Sequence, residues 1–200
     1  MLCYVLLCDN PEIIEASTEA LCSFDMVSSV ILNKVLESGA RTPMTSGNIQ
    51  ASALIQAWAA TEAGWFFALT CDLGLNFVYQ VRREILLHPP VKQAGLKRMS
   101  MLERSKGLSP ADFRRIWRET HGPRVASHAG VLEGYCQNHV QTSSEMAPAC
   151  DGVTELWFAD ENAMDAVLPP APKNPESLTA HAGSFIGRIS TFLLAEERIK

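Results

Sequence analysis

The chain has 200 residues, a formal net charge of −5, 47% apolar residues and 20% charged ones. Such a chain can bury a real core as one large domain or two small ones, and its acidic balance, with only short basic runs, excludes a nucleic-acid footprint. Six cysteines (Cys3, Cys8, Cys22, Cys71, Cys136, Cys150) form no CxxC pair, and no apolar stretch is long enough to span a membrane. The expectation is a reduced, cytoplasmic protein.

Met1–Cys8 is an apolar run bounded by Asp9-Asn10-Pro11 and reads as a buried strand. Asn10 and Pro11 then start a helix with an apolar face reaching about Phe24. Val27–Leu36 is a β-branched strand, and Gly39–Asn48 a loop. Ala53–Ala60 is a strand, Glu62–Leu69 a short helix and Phe77–Leu87 a strand. After His88-Pro89-Pro90 the order starts again. Leu96–Glu103 is a strand, Pro110 to about His121 a helix, and Leu132–Gln141 and Gly152–Phe158 are strands. Glu161–Leu168 is a short helix and Ile189–Arg198 a strand, with Pro169–Pro175 inserted as a loop.

Both halves thus read as a ferredoxin-like βαββαβ unit, giving an α+β fold of two repeats, residues 1–92 and 93–200. Faint matches keep the same order: Trp58 answers Trp157, Glu62 answers Glu161, and VRREI ending at Ile85 answers AEERI ending at Ile199.

Chemistry concentrates in the second repeat. Steps of four place Phe113, Trp117 and His121 on one helix face. Ser109, Pro110 and Asp112 mark the start of that helix, and Gly122-Pro123 is expected to stop it just after His121. The imidazole there is suited either to moving a proton near neutral pH or to bonding a terminal carbonyl. Alternation along Leu132–Gln141 puts Tyr135, Gln137 and His139 on one face, with Cys136, Asn138 and Val140 on the other. Glu155 and Trp157 share a strand face, and Glu155 reads as a paired core acid or a pocket acid. Glu196 and Glu197 fall on opposite faces, so one points inward. The clusters His121/His128 and Cys136/His139 lack a second spaced pair, and no HExxH, G-x-S-x-G, phosphate loop or G-x-G-x-x-G occurs. No metal and no cofactor are expected.

The pattern LSPADFRRIWRETHGPRVA, LEGYCQNHV, DGVTELWF and AEERI, from about Met99 to Ile199, resembles the EthD family of small α+β barrel proteins. Its F-x3-W-x3-H-x-P helix and later Y-x-Q-N-H carry the likeness. The first half looks like a degenerate copy, with Ser17, Leu21 and Asp25 where Phe113, Trp117 and His121 stand later. The resemblance implies two ferredoxin-like sheets facing each other around an apolar cavity in a dimeric α+β barrel, closed within one chain or in a homodimer. The helix–sheet space would be a second pocket.

Relatives in that family include dehydratases and decarboxylases of aromatic polyketide pathways, polyketide cyclases, cofactor-free monooxygenases and accessory proteins. The leading expectation is a lyase or cyclase acting on a small hydrophobic or aromatic substrate. His121, Tyr135 and His139 would be catalytic, while Phe113, Trp117, Glu155 and Trp157 would bind substrate. A non-catalytic binder of hydrophobic ligands and a cofactor-independent monooxygenase are the alternatives.

Overall fold

The computed structural model describes residues 1–39, 46–75, 77–91, 95–169 and 177–200. The expected strands are all present: β1 (Leu2–Cys8), β2 (Val27–Ser38), β3 (Ala53–Ala59), β4 (Phe77–Leu87), β5 (Leu96–Arg104), β6 (Leu132–Ser143), β7 (Gly152–Phe158) and β8 (Ile186–Arg198). They close into one antiparallel barrel in the order β1-β3-β2-β8-β5-β7-β6-β4. Each half supplies a four-stranded sheet, and β2–β8 and β4–β6 are the seams between halves. The barrel is therefore completed within a single chain.

Helices cover the outside. Asn10 accepts from the Glu12 amide to open a 3-10 turn that runs into α1 (Ile14–Ser23), and α2 (Ala63–Asp72) follows β3. In the second half, the Ser109 hydroxyl accepts from the Asp112 amide at the start of α3 (Pro110–Arg115). The helix then departs from expectation. It continues through a π-helical turn, Ile116–His121, into α4 (Gly122–Ala126), so Gly122-Pro123 does not end it. The wider turn is what absorbs the proline. The Gly122 amide bonds the Trp117 carbonyl, five residues back, so the ladder is already shifted where Pro123 enters. His121 lies inside a continuous helix, not at a frayed end.

Two short helices complete the second half: α5 (Glu161–Val167), capped by Asp160, and α6 (Leu178–Gly183), capped by Ser177; α6 is not among the elements expected from the sequence. The expected Pro169–Pro175 loop lies almost wholly outside the described residues, as does much of Gly39–Asn48.

The ladder registers superimpose the two repeats. Cys3 pairs with Trp58 as Lys97 pairs with Trp157, and Asn33 pairs with Leu54 as Asn138 pairs with Val153. Trp58 thus answers Trp157 as expected, and Gln56 answers Glu155. The match of the last strands is one residue off. Val81 opposite Cys3 answers Leu194 opposite Lys97, so Arg83 answers Glu196 and not Glu197.

Alternation sends one set of side chains into the barrel and the other under the helices. The barrel interior is not an apolar cavity. Val5, Leu7, Leu54, Tyr79, Met99, Met101, Val153 and Phe192 fill much of it, and a charged network occupies the rest.

Candidate functional site

The residues singled out from sequence fall on opposite faces of the second sheet. Tyr135, Gln137 and His139 face the helices, whereas Glu155 and Trp157 point into the barrel with Lys97. Alternation gave the parity within each strand correctly, and the expected site residues divide between the helix–sheet space and the barrel interior.

Under the helices lies a cavity of about 50 Å³, lined by Arg98, Ser100, Trp117, His121, Tyr135, Thr154 and, on its apolar side, Leu168, Leu178 and Ala182. Two glycines hold the helix this close to the sheet. A Cβ on Gly152 would lie 2.2 Å from Trp117 Cζ3, and one on Gly122 would lie 2.7 Å from Leu86 Cδ2. Trp117 therefore rests on the strand itself. The carbonyl of Trp117 also accepts from Gln137 Nε2 at 3.0 Å, which ties the π-helical turn to β6. The same amide nitrogen donates to Tyr135 Oη at 2.6 Å, leaving the Tyr135 hydroxyl proton available to another acceptor. Burial raises the Tyr135 pKa, so the phenol stays protonated as a donor.

His121 is 8% exposed, and burial, helped by the nearby His181 and Arg124, pulls its pKa down to about 3. The ring is neutral at pH 7. Its Nδ1 lies 3.1 Å from His181 Nδ1, with the two ring planes 5° apart. One of the two nitrogens must carry the proton of that bond. When His121 donates, its Nε2 is left as an acceptor, and that tautomer is a base. His181 is half-buried, so the pair runs from the cavity toward solvent. Phe185 packs edge-on against His121 at 5.3 Å and Phe113 packs against Phe185, which fixes the imidazole from behind.

Of the seven expected site residues, His121, Tyr135 and Trp117 line this chamber. Phe113 is a wall of the adjoining core. His139 is fully buried behind Trp117, with ring centroids 4.7 Å apart, and does not line the chamber. Among the described residues neither of its nitrogens has a hydrogen-bond partner, though Nε2 is 3.8 Å from Glu84 Oε2. Burial, then Arg82, Arg114 and Arg118, lower its pKa to about 4. His181, Arg98, Ser100 and Thr154 were missed. Polar residues at the alternate positions Arg98 and Ser100 of an otherwise apolar strand were the available signal; His181 had none.

Inside the barrel, Glu155 is ion-paired to Arg83 and, at 3.0 Å, to Lys97, and accepts from Asn138 Nδ2 at 2.7 Å. Burial alone would raise its carboxyl, but Arg83 and Lys97 overcome that and hold it at about 2. Lys97 also bonds Glu196 at 2.6 Å and Gln56 at 2.9 Å, bridging the two repeats. Among the described residues no group of three or more His, Cys, Asp or Glu side chains could hold a metal ion, and no helix is long and apolar enough to cross a membrane.

The fold is that of the dimeric α+β barrels, with both halves in one chain. Residues 105–187, which carry His121, Tyr135 and His181, match the EthD domain. An anthrone oxidase-like protein has the same fold (TM-score 0.60, 11% identity, 98% of this chain and 92% of that one). So do a Lactobacillus acidophilus NCFM protein provisionally named a monooxygenase (TM-score 0.50, 10% identity, 100% and 95%) and one provisionally named a chlorite dismutase (TM-score 0.51, 8% identity, 97% and 95%). No curated protein matches the chain in sequence.

Proposed function

We propose that this protein is a cofactor-independent oxygenase of planar fused-ring ketones of the anthrone type, acting in the helix–sheet chamber of its second half. The observation that carries the reading is the neutral, buried His121, hydrogen-bonded at 3.1 Å to a more exposed His181 beside the Tyr135 phenol. The EthD domain and the fold shared with an anthrone oxidase-like protein support the substrate class.

An anthrone carries an acidic CH2 beside its rings. His121 Nε2 takes one of those protons, and its Nδ1 proton passes to His181. Burial disfavours an imidazolium at His121, so the proton is forwarded and not held. The carbanion transfers an electron to O2, and the radical pair combines to a hydroperoxide at that carbon. Loss of the second C–H proton breaks the O–O bond and releases water, so one CH2 and one O2 give one C=O and one H2O. Tyr135 donates to the enolate oxygen while the charge is delocalised.

The chamber is smaller than the roughly 300–1,000 Å³ of sites for drug-sized ligands, so a fused-ring substrate enters only as Leu168, Leu178 and Ala182 move off the sheet.

The test is oxygen uptake with an unsubstituted anthrone. Equimolar O2 consumption and quinone formation, lost in His121→Ala, is the expected result. Loss of water or CO2 from a hydroxylated polyketide-like substrate under nitrogen, with the same His121 dependence, would replace this reading by the dehydratase or decarboxylase one. Ligand binding unaffected by His121→Ala, without turnover, would leave only a binder.

A further inference from the structure

The charged network inside the barrel ends in an open mouth of about 330 Å³ that the chemistry above does not use. Trp58, Trp157, Arg83, Glu196, Arg198 and the linker prolines Pro89 and Pro90 line it. Its two indoles come from equivalent positions in the two repeats, and each carries a cation over its ring. The Arg83 guanidinium is 5.6 Å from the Trp58 centroid and Lys97 Nζ is 4.7 Å from that of Trp157. The repeats have diverged at many matched positions, yet both keep tryptophan here.

The groups beneath the mouth are already built. Glu155 and Gln56 are fully buried and Lys97 is 2% exposed, joined by the ion pairs and hydrogen bonds described above. Trp157 Nε1 donates to Glu196 Oε2 at 3.3 Å, which fixes the indole at the rim. Gln56 Nε2, within this network, has no hydrogen-bond partner among the described residues.

Charge decides the ligand. Glu155 is met by Arg83 and Lys97, and Glu196 by Lys97, while the exposed Arg198 side chain forms no ion pair among the described residues. Among the described side chains of the mouth and the network beneath it, three cations, Arg83, Lys97 and Arg198, thus face two carboxylates, Glu155 and Glu196, an excess of one positive charge. An aromatic wall with a net cation at its rim favours a flat anion: the ring packs against the half-buried Trp58 indole and the charge meets a guanidinium.

We infer that the barrel mouth is a second ligand site, taking a planar aromatic carboxylate or phenolate, separate from the helix–sheet chamber. Unlike the chamber, the mouth has a volume already in the range of small-molecule sites. The inference stands whether or not the chamber is an oxygenase site.

The experiment titrates the full chain with 2-naphthoate and with its uncharged isostere 2-naphthamide, followed by calorimetry and tryptophan quenching. Saturable naphthoate binding is expected, weakened about tenfold by Arg198→Ala with little change for the amide. Trp58→Leu should weaken both ligands about tenfold, and His121→Ala neither. Arg198 is exposed, so its variant tests the site without disturbing the core; thermal melts check that Trp58→Leu is folded. Absence of saturable binding overturns the inference. So does binding lost in His121→Ala but intact in Trp58→Leu, which would place the ligand in the chamber. Equal affinity for acid and amide overturns the charge assignment.

Discussion

The two halves present the same strand positions to their helices and fill them differently. Beneath α1 and α2 stand Tyr4, Leu6, Val30, Leu32, Ile55 and Val78, all in one apolar core with Phe66 stacked on Tyr4 at 4.0 Å. The register-matched positions of the second half are Arg98, Ser100, Tyr135, Gln137, Thr154 and Thr191. Every one is polar or carries a hydroxyl. Buried polar groups destabilise unless paired, so such a concentration on one side of a duplicated fold is what sets the proposed site apart from the first half. The first half is the scaffold that tolerates it.

The largest expected contrast is in turnover. His121→Ala lowers kcat by about 10²–10⁴-fold, whereas Asp25→Ala, at the answering and exposed position of the first half, leaves the rate unchanged in the oxygen-uptake assay.

Next comes stability at the matched pair inside the barrel. Glu155→Leu strands the buried cations Arg83 and Lys97 and should cost about 3–5 kcal/mol in denaturant unfolding. Gln56→Leu removes a neutral partner and should cost about 1–3 kcal/mol. Equal losses would mean the two repeats share the network's load evenly.

Exchanging residues between halves gives a smaller effect. Leu32→Gln installs the second half's residue in the first half's apolar core, with no partner for its amide, at about 1–3 kcal/mol. Its mirror image, Gln137→Leu, frees the Tyr135 hydroxyl and the Trp117 carbonyl and should be read in activity.

The smallest step is per pH unit. His121 and His139 have folded pKa values of about 3 and about 4, below the unfolded 6.5. Between those values the unfolded chain binds protons that the folded one does not. Stability is therefore full above pH 6.5 and falls as the pH drops toward 4, by about 1.4 kcal/mol per pH unit for each ring. Replacing His139 by Gln should flatten this slope, read in denaturant unfolding at pH values between 4 and 6.5.

Much of this arrangement was legible in the sequence because its signals are local. The β-branched runs gave the strands, alternation grouped Tyr135 with Gln137 and His139, and the caps at Asn10 and Ser109 behaved as their types require. What escaped was nonlocal or rested on an unusual helix. Whether Glu155 shares a side with Tyr135 depends on the register between strands, and pairing Tyr135 with Leu156 sends Glu155 to the other face. Gly122-Pro123 signals a stop only for α-type hydrogen bonding, and the π-helical turn removes that premise. His181 sits in a six-residue helix, too short for periodicity to reveal, and meets His121 from 60 positions away.

The seams of the barrel have a consequence for how the chain is made. β2 pairs with β8, joining residues 31–38 to 192–198, so closure waits for the last strand to leave the ribosome. Until then β2 is an open edge, as is β4 until β6 has been made, and open edges invite pairing with other chains. Such distant pairing also makes folding slow. Loss of β8 would reopen one seam and uncover a second edge on β5, turning a closed surface into an adhesive one.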